Sequence, residues 1–170
     1  VPLTAMHSEF SPGQWEINTH HQEDAALAGD HALLLRRIVK GVARRHGLGA
    51  TFMAKPMENQ PGSAMHVHMS VIDDNDRNIF SKKTGGPSAA YGHFIGGQQK
   101  LMPELLSLVA STCNSYTRLV PGFWAPTAAS WGLDNRTCAI RAIPGSAAAQ
   151  RVEYRIAAAD INPYLALAAA

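Results

Sequence analysis

Cysteine is scarce: only Cys113 and Cys138 occur among 170 residues, with no CxxC spacing. That usage argues against a disulfide framework and fits a reducing cytoplasm. Long hydrophobic runs are also missing. The longest weakly polar stretch, Ile156 to Ala170, is interrupted by Asp160, Asn162 and Pro163, so it cannot cross a bilayer, and no secretory leader pattern is visible. Charge of one sign is lacking too. Fifteen Lys and Arg face thirteen Asp and Glu for a net charge of +2, and without a basic tail or stripe neither nucleic acid nor a membrane is an expected partner. There is no internal repeat. Lys82-Lys83-Thr84-Gly85-Gly86-Pro87 lacks the spacing of a phosphate-binding P-loop, and Asp73-Asp74-Asn75-Asp76 lacks the glycine and terminal glutamate of a calcium loop. What remains is an ordinary globular composition, 46% hydrophobic and 16% charged, at a length that suits one domain with a sizeable core.

The most informative stretch is Met65-His66-Val67-His68-Met69-Ser70-Val71. Side chains alternate along a strand, so His66, His68 and Ser70 would share one face while Met65, Val67, Met69 and Val71 share the other. Two imidazoles on one face suit a metal ligand beside a phosphate contact, or simply a pair of hydrogen-bonded surface histidines. Near the start, Met6–Phe10 and Gln14–Asn18 alternate on either side of the turn sequence Ser11-Pro12-Gly13, which predicts a hairpin. Its polar face carries His7, Glu9, Gln14, Glu16 and Asn18; Trp15 and Ile17 are expected to pack behind. The two glutamates are either solvated or a metal-binding pair.

Between Asp24 and His46 the residues Ala26, Leu27, Leu33, Leu34, Ile38 and Val42 recur at helical spacing, ended by Gly47 and Gly49. Arg36, Arg37, Lys40, Arg44 and Arg45 should form the solvated face of that helix. Ala50–Pro56 reads as a strand, residues 73–76 as a tight loop into Ile79-Phe80, and Ser88–Thr112 as a helix divided or kinked near Pro103. Asn114–Pro126 has two prolines and no clean period, as expected of a long loop. Asn135–Arg141 opens another strand that ends near Pro144-Gly145, and Arg151–Ile156 alternates once more, with Arg151, Glu153 and Arg155 on one face. Asn162-Pro163-Tyr164 is an N-cap followed by proline at the first helical position. The expected fold is α+β: a curved, mainly antiparallel sheet with helices packed on its apolar face.

The polar face of such a sheet would offer carboxylates from Glu9, Glu16 and Glu153, imidazoles from His66 and His68, and guanidinium groups from Arg118, Arg136, Arg141, Arg151 and Arg155. Oxygen ligands with an occasional imidazole favour Mg²⁺ or Mn²⁺ over zinc. Guanidinium forks bind phosphates and carboxylates bidentately, and beside divalent cations they can stabilise a phosphoryl group in transfer. These residues alone point to metal-dependent phosphoryl transfer onto an anionic substrate.

A resemblance refines this reading. His7-Ser8-Glu9, Pro12-Gly13-Gln14-Trp15-Glu16, Ala50–Pro56, Gly62–Ser70, Asn114-Ser115-Tyr116, Arg118, Pro121-Gly122, Asn135-Arg136, Arg151–Arg155 and Asn162-Pro163-Tyr164 resemble, in order and nearly end to end, the motifs of the glutamine synthetase catalytic domain. The chain looks most like the γ-glutamylpolyamine synthetase branch. The resemblance implies an ATP-dependent ligase that makes a γ-glutamyl amide through a γ-glutamyl phosphate. It assigns Glu9 and Glu16 to the metal on the acceptor side, and His66 and Glu153 to the metal among the nucleotide phosphates. Gly62, Arg118 and Arg155 fall to glutamate; His68, Ser70, Arg136, Arg141 and Arg151 fall to ATP. Arg118 and Arg136 are the groups expected to neutralise charge during catalysis.

The departures bear on the acceptor. Trp124 stands where glutamine synthetases carry a glutamate that closes over the site and helps bind ammonium. An indole cannot carry that charge, but its face attracts an alkylammonium, so a primary amine or polyamine is expected ahead of ammonia. Pro61 and Ala64 replace a family asparagine and a family glycine. Residues 1–170 would be part of a single catalytic domain, with the small N-terminal domain, two carboxylate ligands and the final helices lying outside them. The piece alone is therefore expected to be inactive, and the full-length protein to be a ring-shaped, cytoplasmic homo-oligomer. The competing readings are a glutamine synthetase using ammonia, a non-catalytic relative with a structural role, and an unrelated metal module built on the HxH pair.

Overall fold

The computed structural model describes residues 1–170. Two short strands, β1 (Leu3–Ser8) and β2 (Trp15–Thr19), form an antiparallel hairpin in which His7 pairs with Glu16. Gly13, at φ 74°, supplies the left-handed residue of its turn. The long helix α1 (Ala25–Arg45) follows, started by the Asp24 carboxylate, which accepts from the backbone N–H groups of Ala26 and Leu27. A four-stranded sheet is assembled from β3 (Val67–Met69), β4 (Trp131–Leu133), β5 (Ile140–Ile143) and β6 (Arg151–Tyr154) in the order β3-β6-β5-β4. Helix α2 (Ala89–Val109) packs on it, α4 (Pro163–Ala169) packs against α2 and α1, and a short α3 (Cys113–Thr117) leads into the loop after it.

Sheet register decides what becomes core and what becomes site. Val67, Tyr154 and Ile140 lie in one cross-strand row, Met69, Val152 and Ala142 in another. These rows face α2, which buries Tyr91, Ile95, Gln98, Met102 and Val109 along one stripe. Between them runs the row His68, Glu153, Arg141, Gly132. Because neighbouring residues on a strand point to opposite faces, burying the two apolar rows turns this charged row outward as a set. The Tyr91 hydroxyl donates to the carbonyl of Arg151 at 2.9 Å, fixing the start of β6 against the helix.

The α+β class stands, with corrections in detail. The strands form two separate sheets instead of one curved sheet, and β4 runs parallel to β5. Ala50–Pro56 is irregular, because its backbone bonds go to a side chain and a loop: Lys55 N–H donates to Asn114 Oδ1 and Ser63 N–H to the Ala54 carbonyl. The region after Thr112 is partly helical, capped by a reciprocal Thr112–Ser115 box. Pro103 sits inside an unbroken α2. The largest discrepancy concerns α1. Leu27, Leu33, Leu34, Ile38 and Val42 are exposed, whereas Ala28, Gly29, Ala32, Leu35 and Val39 turn inward. Small residues win that face because α1 rests on α4, and Gly29 lies against the ring of Tyr164, which would be 2.7 Å from any Cβ added there. Arg36 leaves the solvated face to donate to the Ile161 carbonyl at 2.7 Å. Trp15, expected to pack behind the hairpin, is exposed as well. No helix is long and apolar enough to cross a membrane.

Candidate active site

Glu153 is the centre of the site. It is 3% exposed, a cost that an isolated carboxylate could not sustain. Arg155 Nη1 donates to its Oε1 at 2.5 Å and Arg141 Nη1 to its Oε2 at 3.0 Å. His66 Nδ1 lies 3.1 Å and His68 Nε2 3.8 Å from Oε1. Burial alone would raise the Glu153 carboxyl; the hydrogen bond and charge of His66, then the charges of Arg155 and His68, outweigh it and hold the group far below the usual carboxylate range. His66 is lowered by burial and by the neighbouring Arg155 and Arg118 charges, against the pull of Glu153. Arg141 also grips Asp134 at 2.5 Å. Burial, followed by the charges of Arg151 and other cations, pushes His68 down to about 4 against the pull of Glu153. Arg151 Nε donates to His68 Nδ1 at 3.1 Å, which leaves the His68 proton on Nε2.

These shifts give the metal-free protein an acid limb with a definite sign. His68 ordinarily titrates at 6.5 and Glu153 at 4.5, and both are lowered in the fold. The unfolded chain therefore takes up each proton first. Stability is fully present above about pH 6.5 and falls as the pH drops towards 4. Thermal unfolding followed against pH in the presence of a chelator should show that decline, and His68→Gln should flatten its upper part.

The second cluster sits on the hairpin. His7 Nε2 is 3.4 Å from Glu16 Oε1 and His7 Nδ1 is 3.8 Å from Glu9 Oε1. One donor atom from each of the three residues lies within 4.8 Å of the other two. Burial and the adjacent Glu16 raise Glu9. Burial would raise Glu16 too, but hydrogen bonds with Asn18 and Glu9 and the charges of His66 and His7 outweigh it and lower the group. Two neighbouring carboxylates repel one another when both are ionised, and a cation relieves that repulsion. Two oxygens and an imidazole fit Mg²⁺ or Mn²⁺, and the charge of His66 is among those that act on Glu16.

Gln14 brings them together. Its Nε2 donates to the Gly62 carbonyl at 3.0 Å and to Ser63 Oγ at 3.2 Å, and Ser11 Oγ donates to the Pro61 carbonyl at 3.3 Å. The hairpin is thus fastened to the loop that feeds β3. That loop is held on its other side by Asn114, which accepts from the Lys55 N–H and donates to the Lys55 carbonyl at 2.9 Å. Lys55 Nζ donates to the Gln60 carbonyl at 2.6 Å and lies 4.1 Å from the centroid of the Phe123 ring. Gln14, Asn114 and Lys55 escaped the reading of the sequence as site residues. Gln14 carried a signal nonetheless, two positions before Glu16 on the same face.

Arg118 is buried, with one terminal nitrogen donating to the Ile156 carbonyl at 2.6 Å and contacting those of Arg155 and Ala157 at 3.3 and 3.4 Å. Burial and the Arg155 charge lower it to about 10, and its Nε is buried without a partner. It braces the chain just after Glu153. Gly62 lies against its stem: a methyl group there would meet Arg118 Cγ at 2.5 Å and collide with the Ala54 carbonyl. Gly62→Ala should therefore cost about 1–3 kcal/mol, measured by denaturant unfolding, and should displace Arg118. Arg155 Nε donates to the carbonyl of Arg136 at 3.1 Å, so Arg136 joins the site through its backbone while its side chain stands exposed. Ser70 is exposed just beyond the end of β3. Trp124 is 54% exposed, holds φ 57°, and meets Phe10 at a centroid distance of 6.3 Å.

A buried carboxylate gripped by guanidinium and imidazole groups thus shares an α+β domain with an open carboxylate pair on a separate hairpin. The family model described as glutamine synthetase, catalytic domain, matches residues 1–170, and the chain belongs to that family. It is 44% identical over 169 residues to γ-glutamylputrescine synthetase PuuA of Escherichia coli, covering 99% of this chain and 36% of that protein. A glutamate–isopropylamine ligase from a Pseudomonas species is 42% identical over 171 residues, 99% of this chain and 37% of the relative. A glutamine synthetase of Thermococcus kodakarensis is 42% identical over 163 residues, 96% of this chain and 36% of the relative. The chain thus spans about a third of the length of the curated relatives it matches.

Proposed function

We propose that this chain forms part of an ATP-dependent carboxylate–amine ligase that joins the γ-carboxylate of glutamate to a primary amine or polyamine. Glu9 and Glu16, with His7 beside them, would hold a Mg²⁺ or Mn²⁺ ion on the acceptor side; His66 and Glu153 would hold one on the nucleotide side. Bound there, the cations supply positive charge against the glutamate γ-carboxylate and the terminal phosphate. Arg141 and Arg151, with His68, Ser70 and Arg136, offer nitrogen and oxygen donors to the nucleotide. By the family resemblance, Arg155, Arg118 and Gly62 would serve glutamate. The carboxylate attacks the terminal phosphorus of ATP and ADP departs. The amine then attacks the acyl carbon of the γ-glutamyl phosphate, phosphate leaves, and the nitrogen gives up a proton. Guanidinium groups fixed by Glu153 and by backbone carbonyls would meet the developing charge without reorganising, which is where such preorganisation gains rate.

The observation that carries this reading is the row His68, Glu153, Arg141 with Arg155 and His66 folded over it. The acceptor rests on Trp124 and on the similarity to a γ-glutamylputrescine synthetase and a glutamate–isopropylamine ligase. In keeping with the family resemblance, the full-length protein is proposed to be a cytoplasmic ring-shaped homo-oligomer. Phosphate release by full-length protein with ATP, Mg²⁺ or Mn²⁺, glutamate, and either ammonia, putrescine or n-butylamine tests the proposal. A primary amine should exceed ammonia in kcat/KM. Turnover with ammonia alone would refute the acceptor assignment, and no glutamate-dependent phosphate release with any acceptor would refute the ligase.

A further inference from the structure

Two aromatic rings from segments more than a hundred residues apart meet beside the turn of the hairpin that carries Glu9 and Glu16. Phe10 follows Glu9 directly and is 79% exposed; Trp124 comes from the loop after α3 and is 54% exposed. Their centroids lie 6.3 Å apart with the planes inclined at 39°, within the range of an attractive aromatic pair. Neither ring belongs to the core. Phe10 is held there by the hairpin, since the Glu9 N–H donates to the Gln14 carbonyl at 2.9 Å. Trp124 is held in a left-handed backbone conformation, φ 57°, that a bulky residue adopts only at a cost. Burial does not offset that cost. A strained, exposed indole set against an exposed phenyl ring, one residue from the open carboxylate cluster, is a surface shaped for a ligand with hydrocarbon.

We propose that Phe10 is a specificity-determining residue that forms, with Trp124, an aromatic wall against the hydrocarbon part of the acceptor amine. This rests on the ligase reading above and deepens it. Aromatic faces attract alkyl chains through dispersion and burial and attract ammonium groups through the ring quadrupole, while the neighbouring Glu9 favours the cationic end. The acceptor class is therefore an aliphatic primary amine whose chain is long enough to lie along both rings, and preference should rise with chain length.

The test compares kcat/KM for n-butylamine and methylamine in full-length wild-type protein, Phe10→Ala and Phe10→Tyr. Wild type should prefer n-butylamine, Phe10→Ala should lower the butylamine-to-methylamine ratio about tenfold, mostly through KM, and Phe10→Tyr should restore it. Phe10 is too exposed for its truncation to disturb the core, and a thermal unfolding midpoint near that of wild type confirms that the ratio is read on folded protein. An unchanged ratio in Phe10→Ala, with wild type still preferring butylamine, overturns the role of Phe10 alone. A wild type that turns over only ammonia overturns the acceptor reading itself.

Discussion

Glu153→Ala should destabilise the chain by about 3–5 kcal/mol and abolish glutamate-dependent phosphate release. The carboxylate compensates two arginine side chains, Arg155 at 7% exposure and Arg141 at 15%, and orients two imidazoles. Its removal leaves the buried Arg155 charge without a counter-ion and Arg141 with Asp134 alone, which is far more costly than the net value of the intact pairs. Glu153→Gln separates the two consequences. The amide keeps the volume and some hydrogen bonds, so most of the stability should return, as read by denaturant unfolding. Turnover should stay at least about a thousandfold down, because a neutral amide neither binds a divalent cation well nor keeps its arginine partners fixed. Near-normal turnover in Glu153→Gln would remove Glu153 from the site and leave it a structural role.

Trp124→Glu should have the largest effect on what the protein accepts. It replaces a neutral aromatic face with the charge that the family's ammonia-using members carry at the matching position. The side chain is more than half exposed, so global stability should change by no more than about 0.5 kcal/mol. The ratio of kcat/KM for n-butylamine to that for ammonia should fall by about two orders of magnitude, because the change removes an attraction for the alkyl chain and adds one for ammonium. Steady-state phosphate release with each acceptor measures it. A ratio that stays within a few-fold of wild type would show that Trp124 does not face the acceptor.

Much of this site was legible because strand periodicity fixes faces. The alternation of Arg151 to Ile156 placed Val152 and Tyr154 in the core and Glu153 on the other side, and the turn at Pro12-Gly13 announced the hairpin whose polar face carries Glu9 and Glu16. What was not legible depended on contacts across the chain. Nothing local in Ala50–Pro56 says that Asn114 will occupy the backbone groups of Lys55 and so deny them to a strand. Likewise the apolar stripe of α1 is visible, but the choice of the Gly29 face over the Leu34 face is made by the ring of Tyr164. Arg118 reads as a free guanidinium in the sequence; its burial against carbonyls 155–157 appears only once the sheet is assembled.

The proposed chemistry requires the hairpin cluster and the sheet cluster to converge in one cation-binding region, and the eight histidines report on that directly. Titrating Mn²⁺ into protein labelled at histidine and following the imidazole resonances should broaden His7, His66 and His68 together at the lowest additions, while His20, His21, His31, His46 and His93 stay sharp. Persistence of the His66 signal while His7 disappears, or equal broadening of all eight, would contradict it.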